Sequence, residues 1–395
     1  MKAPGSVLVV GASAAGLTAA ETLRRLGYPG ELTVVGAEWR TPYDRPPLSK
    51  QVLSGHWEPE RATLLRPGES QARLEAEIIL GSPAVALATA TRSVRTAAGR
   101  TLRADAVVIA TGLSPRLLPG RADLAGAHVL RTLDDALALR AELTPGTRLV
   151  VVGDGVLGTE IAATASAMGV NVTLVGPQPA PMTAQLGPLV AEKLARLHTH
   201  HGVRLLPGTG VRGLRAAGGR VTGVLLDSGE TLSAEVAVVA IGATPNTAWL
   251  AGSGLRVDNG LVCDSRCRAA DGIYAAGDVA RWHHDALGTL QRLENRTNAA
   301  EQAMAVARTI LGDDRPYRPI PYVWTDQFTT RIQVYGAPSA DAELTVTDGD
   351  MTEDRFVALY HRGGAVIGVL GWNMPKQARL RRQRLVDAHA ASTAP

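Results

Sequence analysis

"VLVVGASAAGLTAAETLRRLGYPGELTVVGAE" (residues 7–38) returns further along the chain as "LVVVGDGVLGTEIAATASAMGVNVTLVGPQ" (residues 149–178). Both stretches run strand, glycine turn, helix, strand. The opening apolar runs, Val7–Val10 and Leu149–Val152, are of the kind that forms a parallel strand buried on both faces. The helices carry apolar residues at helical spacing: Leu17, Ala20, Leu23 and Leu26 in the first copy, Ile161, Ala165 and Met168 in the second. Each helix then ends on glycine, as a helix C-terminus favours. Two such units predict an α/β fold with two doubly wound nucleotide-binding domains.

A glycine turn between a parallel strand and a helix lets backbone N–H groups and the positive helix N-terminus meet a pyrophosphate. Gly153, Gly155 and Gly158, with Val156 and Leu157 between the last two, complete the G-x-G-x-x-G pattern. The first turn has Gly11 and Gly16 but Ser13 in the middle place, followed by Ala14 and Ala15, so it adds bulk where backbone must approach the phosphates. At the close of the first unit's second strand, Glu38 can accept hydrogen bonds from ribose hydroxyls. The same place in the second unit reads Gly176, Pro177, Gln178, with neither an acid for a 2′-hydroxyl nor an arginine for a 2′-phosphate. The choice between NADH and NADPH stays open at this point.

Two further strand ends resemble each other: "AVVIATGLSPR" (106–116), with Ala110, Thr111 and Gly112, and "VAVVAIGATPNT" (236–247), with Gly242. A strand running into Gly and then Pro makes a sharp exit that lets backbone lie against a flat or phosphorylated ligand. Taken as domain crossings, they divide the chain into a discontinuous first nucleotide-binding domain (1–115 and 241–319) and a second (116–240). A final α+β domain (320–395) follows the linker "DDRPYRPIPYVWTDQF"; it alternates short strands before a basic helix, "PKQARLRRQRLVDAH".

Composition narrows the function classes. With 45% apolar residues in 395 and no apolar run of the ~18 that a membrane helix needs, the chain is expected to be globular and not membrane-spanning. Its start shows no signal-peptide pattern, which suggests the cytoplasm. A net charge of +4 is too mild to argue for nucleic acid, but it suits an acidic protein partner. Cys263 and Cys267 lack the spacing of a redox pair and are read as unpaired thiols. His198, His200 and His201, like His283, His284 and Asp285, lack metal-ligand spacing, so no metal is expected; a polar helix end and a loop explain them. The run Arg379, Arg381, Arg382, Arg384 fits either a dock for an acidic partner or a solvated helix face.

"YDRPPLSK" (43–50) followed much later by "WTDQF" (324–328) is more specific than either glycine turn. With "GASAAG", "VVIATG", "LRTLDDA", "GDGVLGTEIA", "GIYAAGDVAR", "ENRTNAAEQ" and "GVLGWNMPKQAR" in order, the chain resembles, over nearly its whole length, the FAD-dependent ferredoxin reductases that serve haem-thiolate monooxygenases and ring-hydroxylating dioxygenases. The resemblance implies a glutathione-reductase-like architecture, FAD, and NADH or NADPH. It also implies a small acidic iron–sulfur ferredoxin as partner, through it an oxygenase, and a monomer or homodimer. Cys-dependent disulfide chemistry is not expected, because "RTPYDRPPL" and "ATASAMG" contain no cysteine. Two other readings stay open: a flavoprotein oxidase or monooxygenase that delivers electrons to oxygen, and an apoptosis-inducing-factor-like redox-sensing interaction protein.

Carried over residue by residue, the resemblance assigns the first turn and Glu38 to the FAD adenosine and pyrophosphate. Arg45, Lys50, Ala84 and Arg131 fall at FAD-contacting positions, the two cations being held by a proline-stiffened loop. Asp278 would accept the ribityl hydroxyls and Arg296 would meet the isoalloxazine through its backbone, with Gly277, Glu294, Asn295 and Thr297 beside them as further cofactor-binding positions. Trp324 would flank the flavin ring. Gly153–Gly158 would cradle the nicotinamide cofactor's pyrophosphate, and Glu160 would bond its carboxamide. Lys50, Glu160 and Trp324 are the expected catalytic residues, in a reaction that depends chiefly on placing hydride donor and acceptor in contact.

Overall fold

The computed structural model describes residues 3–64, 72, 74–119 and 124–386. The chain forms two compact units: Met1–Asp44, Thr63–Ser114 and Thr244–Pro319 in one, Arg45–Ala62, Pro115–Ala243 and Ile320–Pro395 in the other. No helix among the described residues is long and apolar enough to cross a membrane.

The first unit is built on a six-stranded sheet ordered Arg268–Ala270, Ile273–Ala275, Ala106–Ile109, Ser6–Val10, Glu31–Val35, Glu77–Ile79. Its pairings are parallel except at the Arg268–Ala270 edge. Val7–Val10 and Val107–Ile109 are almost fully enclosed, as expected of central parallel strands with helices over them. Helix Ala14–Arg25 buries Leu17, Ala20 and Leu23, and it packs beside helix Arg296–Ile310. Cys263 and Cys267 lie unpaired in this core. Burial pushes the Cys267 thiol up to about 12 and raises Cys263 as well, so neither is a ready nucleophile.

The second unit repeats the design in a five-stranded parallel sheet: Arg204–Leu206, Asn171–Val175, Arg148–Val152, Val236–Val239, Ala127–His128. A C-terminal antiparallel sheet, ordered Tyr322–Gln327, Thr330–Gly336, Ala365–Trp372, Arg355–Arg362, Glu343–Asp350, belongs to this unit too. Helix Pro188–His200 turns Val190 and Leu194 onto the sheet's Phe356, Tyr360 and Trp372. Tyr360 adds a hydrogen bond from its hydroxyl to the Leu186 carbonyl, 2.6 Å. That shared core explains why 116–240 and 320–395, separate domains in the sequence reading, fall within one compact unit.

Arg45–Ala62 also packs here, although the sequence reading placed it within 1–115. The prolines set a 3₁₀ turn, Pro46–Ser49, whose Pro47 carbonyl accepts from Lys50 N at 3.1 Å and Val52 N at 2.9 Å. Thr164, on helix Val156–Ala167, then ties the turn down by donating its hydroxyl to the Ser49 carbonyl at 2.7 Å.

Candidate functional site

The two glycine turns are geometric copies. Gly11 and Gly153 have φ of +124° and +113°, and a Cβ on them would lie 2.2 Å from the Ala110 carbonyl oxygen and 2.3 Å from that of Ala240. A Cβ on Gly16 would lie 1.7 Å from the Gly11 carbonyl oxygen, and on Gly158 1.8 Å from that of Gly153. Both positions must be glycine for the helix to sit on its strand. Ser13 and Gly155 are the N-caps, neither supplies a side-chain cap, and neither helix has an acid in its first turn. The first N–H groups of both helices are thus free to meet an anion, and the helix dipole favours one there. A Cβ on Gly155 would meet nothing within 4 Å, so the protein leaves that side of the second turn open.

In the first unit, Gly277 closes on the first turn: a Cβ there would lie 2.9 Å from the Ala15 Cβ. Its N–H donates to buried Gln302 Oε1 at 2.9 Å, and Asp278 follows at once. Glu38 accepts the Tyr43 hydroxyl. Thr111 is held by Asn246, which accepts the threonine hydroxyl at its carbonyl and donates Nδ2 to the Thr111 carbonyl, both at 2.9 Å. Asn246 was not singled out in the sequence; a side chain that donates back across the other strand end leaves no local pattern. Asn295 caps helix Arg296–Ile310 by accepting from Asn298 N at 2.7 Å, while Glu294 pairs with Arg292. Arg296 donates Nε to Asp44 at 2.7 Å, joining "YDRPP" to "ENRTNA". Thr297 occupies the first turn of that helix, and Ala84 opens the strand Ala84–Ala88. These residues fit FAD: an uncapped helix N-terminus, an acid at the second strand's end and a glycine-shaped approach are what its pyrophosphate and ribose require.

In the second unit, Lys50 Nζ meets Glu160 Oε2 at 2.6 Å, with the side chains 12% and 7% exposed. Ser49 donates its hydroxyl to the same oxygen, and Thr325 donates to Oε1 at 2.7 Å. Gln327 Nε2 reaches Thr325 Oγ1 at 3.2 Å and Thr159 Oγ1 at 2.9 Å, and its Oε1 accepts from His198 at 2.7 Å. Glu160 lies in the second turn of its helix and is buried, so it is not a solvated carboxylate drawn there by the dipole. Trp324 stands on the opposite side of the strand from Thr325 and Gln327, beside Tyr322 at a ring-centroid distance of 5.9 Å. Arg45 donates to the Arg131 carbonyl, which brings those two candidates together. Gly242 accepts from Arg116 N at 2.9 Å.

Gly176 is crowded by Asp154, whose Cγ would lie 2.1 Å from a Cβ. Asp154 also accepts Gln178 N and Nε2 at 2.9 and 3.0 Å, and Gln178 Oε1 accepts from Ala184 N at 2.7 Å. The Gln178 amide is therefore already committed.

The histidine cluster is corrected by the fold. His198 is fully buried, four residues on from Leu194 and eight from Val190, so it shares the face that packs on the C-terminal sheet; only His200 and His201 are solvated. Burial pushes its imidazole down to about 4 from an ordinary 6.5, against the opposing Gln327 hydrogen bond. The unfolded chain takes up that proton first as pH falls. Stability from this group is thus complete above about pH 6.5 and is lost toward pH 4, roughly 3 kcal/mol in all. Denaturant unfolding at pH 7 and pH 4 should show this loss in the native chain and not in His198→Gln. Equal losses would refute it.

Of the basic run, Arg381 is engaged by Asp348 through two hydrogen bonds, 2.9 and 3.0 Å, whereas Arg379 and Arg384 are exposed.

Comparison with known proteins agrees with this geometry. Residues 5–303 match the pyridine nucleotide-disulphide oxidoreductase family and residues 322–394 the reductase C-terminal family. Rhodocoxin reductase of Rhodococcus erythropolis is 36% identical over 96% of this chain and 89% of its own length. The ferredoxin–NAD(+) reductase subunit of the benzene 1,2-dioxygenase system of Pseudomonas putida is 37% identical over 97% of this chain and 92% of its own. The reductase in the crystal structure of the covalent putidaredoxin reductase–putidaredoxin complex is 32% identical and superposes with a TM-score of 0.91, covering 98% of this chain and 94% of that one.

Proposed function

The chain belongs to the pyridine nucleotide-disulphide oxidoreductases, among the ferredoxin reductases of oxygenase systems, and from this we propose that it carries electrons from NADH to a small acidic iron–sulfur ferredoxin that feeds an oxygenase. The observation that carries the reading is the pair of matching glycine turns, each with an uncapped helix N-terminus. Bound FAD supplies an acceptor for a nicotinamide hydride and releases the electrons singly to an iron–sulfur centre.

The chain's own residues bind and orient. The first turn, Glu38 and Asp278 hold the FAD, with Thr111, fixed by Asn246, shaping the adjoining strand end. The second turn holds the NADH pyrophosphate, and Glu160, kept in place by Lys50, Ser49 and Thr325, accepts a hydrogen bond from the carboxamide. Lys50 is a cation close to the reaction that offsets negative charge as it develops. No acid or base need act on the coenzyme, since contact and alignment lower the barrier.

Two measurements test this. With NADH and an oxygenase-type ferredoxin, reduction should depend on the ferredoxin and slow as salt rises, because a net charge of +4 steers an acidic partner. Equally fast oxygen consumption without ferredoxin would favour an oxidase instead. NADH should also surpass NADPH by at least about tenfold in kcat/KM, since an unpaired 2′-phosphate forgoes a charge-assisted hydrogen bond of roughly 1.5–3 kcal/mol. The segment 176–184 contains no Lys or Arg, and Arg204 pairs with Thr173 in the middle of the strand Asn171–Val175, not at its C-terminal end. Gln178→Arg should narrow the ratio; a native preference for NADPH would contradict this account.

A further inference from the structure

An ionised carboxylate has no proton to give, so every partner of Glu160 must donate. Thr325 therefore commits its hydroxyl proton to Oε1 and offers only lone pairs to Gln327. Thr159 is in the same position, because its hydroxyl faces the helix carbonyls of Gly155 and Val156 at 3.0 and 2.9 Å. Both hydroxyls require Gln327 to present Nε2, which leaves Oε1 toward His198. His198 must then carry its proton on Nε2, and its Nδ1 is left as a buried lone pair with no partner. The donors point one way, from His198 through Gln327 and Thr325 to Glu160. His198, Gln327 and Thr159 are 0% exposed and Thr325 1%, so water does not compete along the chain.

We propose that His198, Gln327 and Thr325 are positioning residues for Glu160, fixing one carboxylate oxygen so that Lys50 and Ser49 share the other and the group keeps a single orientation. The proposal rests on the reading of Glu160 as the nicotinamide contact. Held by Lys50 and Ser49 alone, the carboxylate could turn about its terminal torsion, which is intrinsically soft. The neutral, single-tautomer histidine anchors the far end, consistent with the burial that keeps it uncharged.

The test uses FAD-loaded protein in anaerobic stopped flow, following flavin bleaching across NADH concentrations, with dithionite reduction and the visible spectrum as controls. Thr325→Val should lower the limiting rate about tenfold with little change in NADH affinity, and Thr325→Ser should restore it. Gln327→Met should act in the same direction while leaving the Thr325 hydroxyl in place, and it carries the test if Thr325→Val does not fold. A network that merely docks sheet on helix would lower stability and leave the limiting rate unchanged. Slow reduction by Glu160→Gln with native rates in Thr325→Val and Gln327→Met would overturn the positioning role and leave the Glu160 reading standing. A native rate in Glu160→Gln would overturn both.

Discussion

Glu160→Ala is expected to slow NADH-dependent flavin reduction roughly 100-fold and to destabilise the protein by about 3 kcal/mol. The rate effect follows from losing the group that aligns the carboxamide, where a displacement of about an ångström is enough to cost that much. The stability effect follows from the pair: Lys50 is only 12% exposed on its side chain and would be left without its ion-pair partner. Thr325 and Ser49 would lose their acceptor at the same time. Stopped flow and denaturant unfolding on one preparation read both numbers. A variant as stable as the native chain would show that the pair contributes nothing net.

Gly155→Val should abolish NADH binding, raising its dissociation constant at least about 100-fold, while leaving the fold and the bound FAD intact. A Cβ at Gly155 meets no protein atom within 4 Å and the backbone needs no left-handed φ, so the loss is expected to arise from the coenzyme's approach. Gly155→Ser should be much milder, since Ser13 already occupies the equivalent cap in the first turn. Gly158→Val is the contrasting case, because its side chain would collide with the Gly153 carbonyl and disturb the helix itself. NADH titration beside thermal unfolding separates the two effects. Undiminished NADH binding by Gly155→Val would mean that the second turn does not hold the pyrophosphate.

The sheets and both turns were legible because their cause is local: glycine at fixed spacing after an apolar strand is demanded by carbonyl contacts within a few residues or at the neighbouring strand's end. The Glu160 network was only half legible. Lys50 and Glu160 stood out through the family likeness, but Ser49, Thr159, His198, Thr325 and Gln327 come from four separate segments and meet only in the folded unit. A signal for them did exist. Alternation along "YVWTDQ" puts Thr325 and Gln327 on the buried face, and helical spacing puts His198 behind Leu194; a buried polar residue implies a partner. Placing Arg45–Ala62 with residues 115–243 lay beyond the sequence, because it depends on the Thr164 hydroxyl meeting the Ser49 carbonyl.

The most direct test of the central claim is anaerobic mixing of the FAD-bound protein with one equivalent of NADH, followed by an excess of oxidised iron–sulfur ferredoxin. The account predicts that NADH bleaches the flavin band and that ferredoxin restores it, with two one-electron ferredoxins reduced for each hydride delivered. A flavin that neither NADH nor NADPH bleaches, though dithionite does, would contradict it.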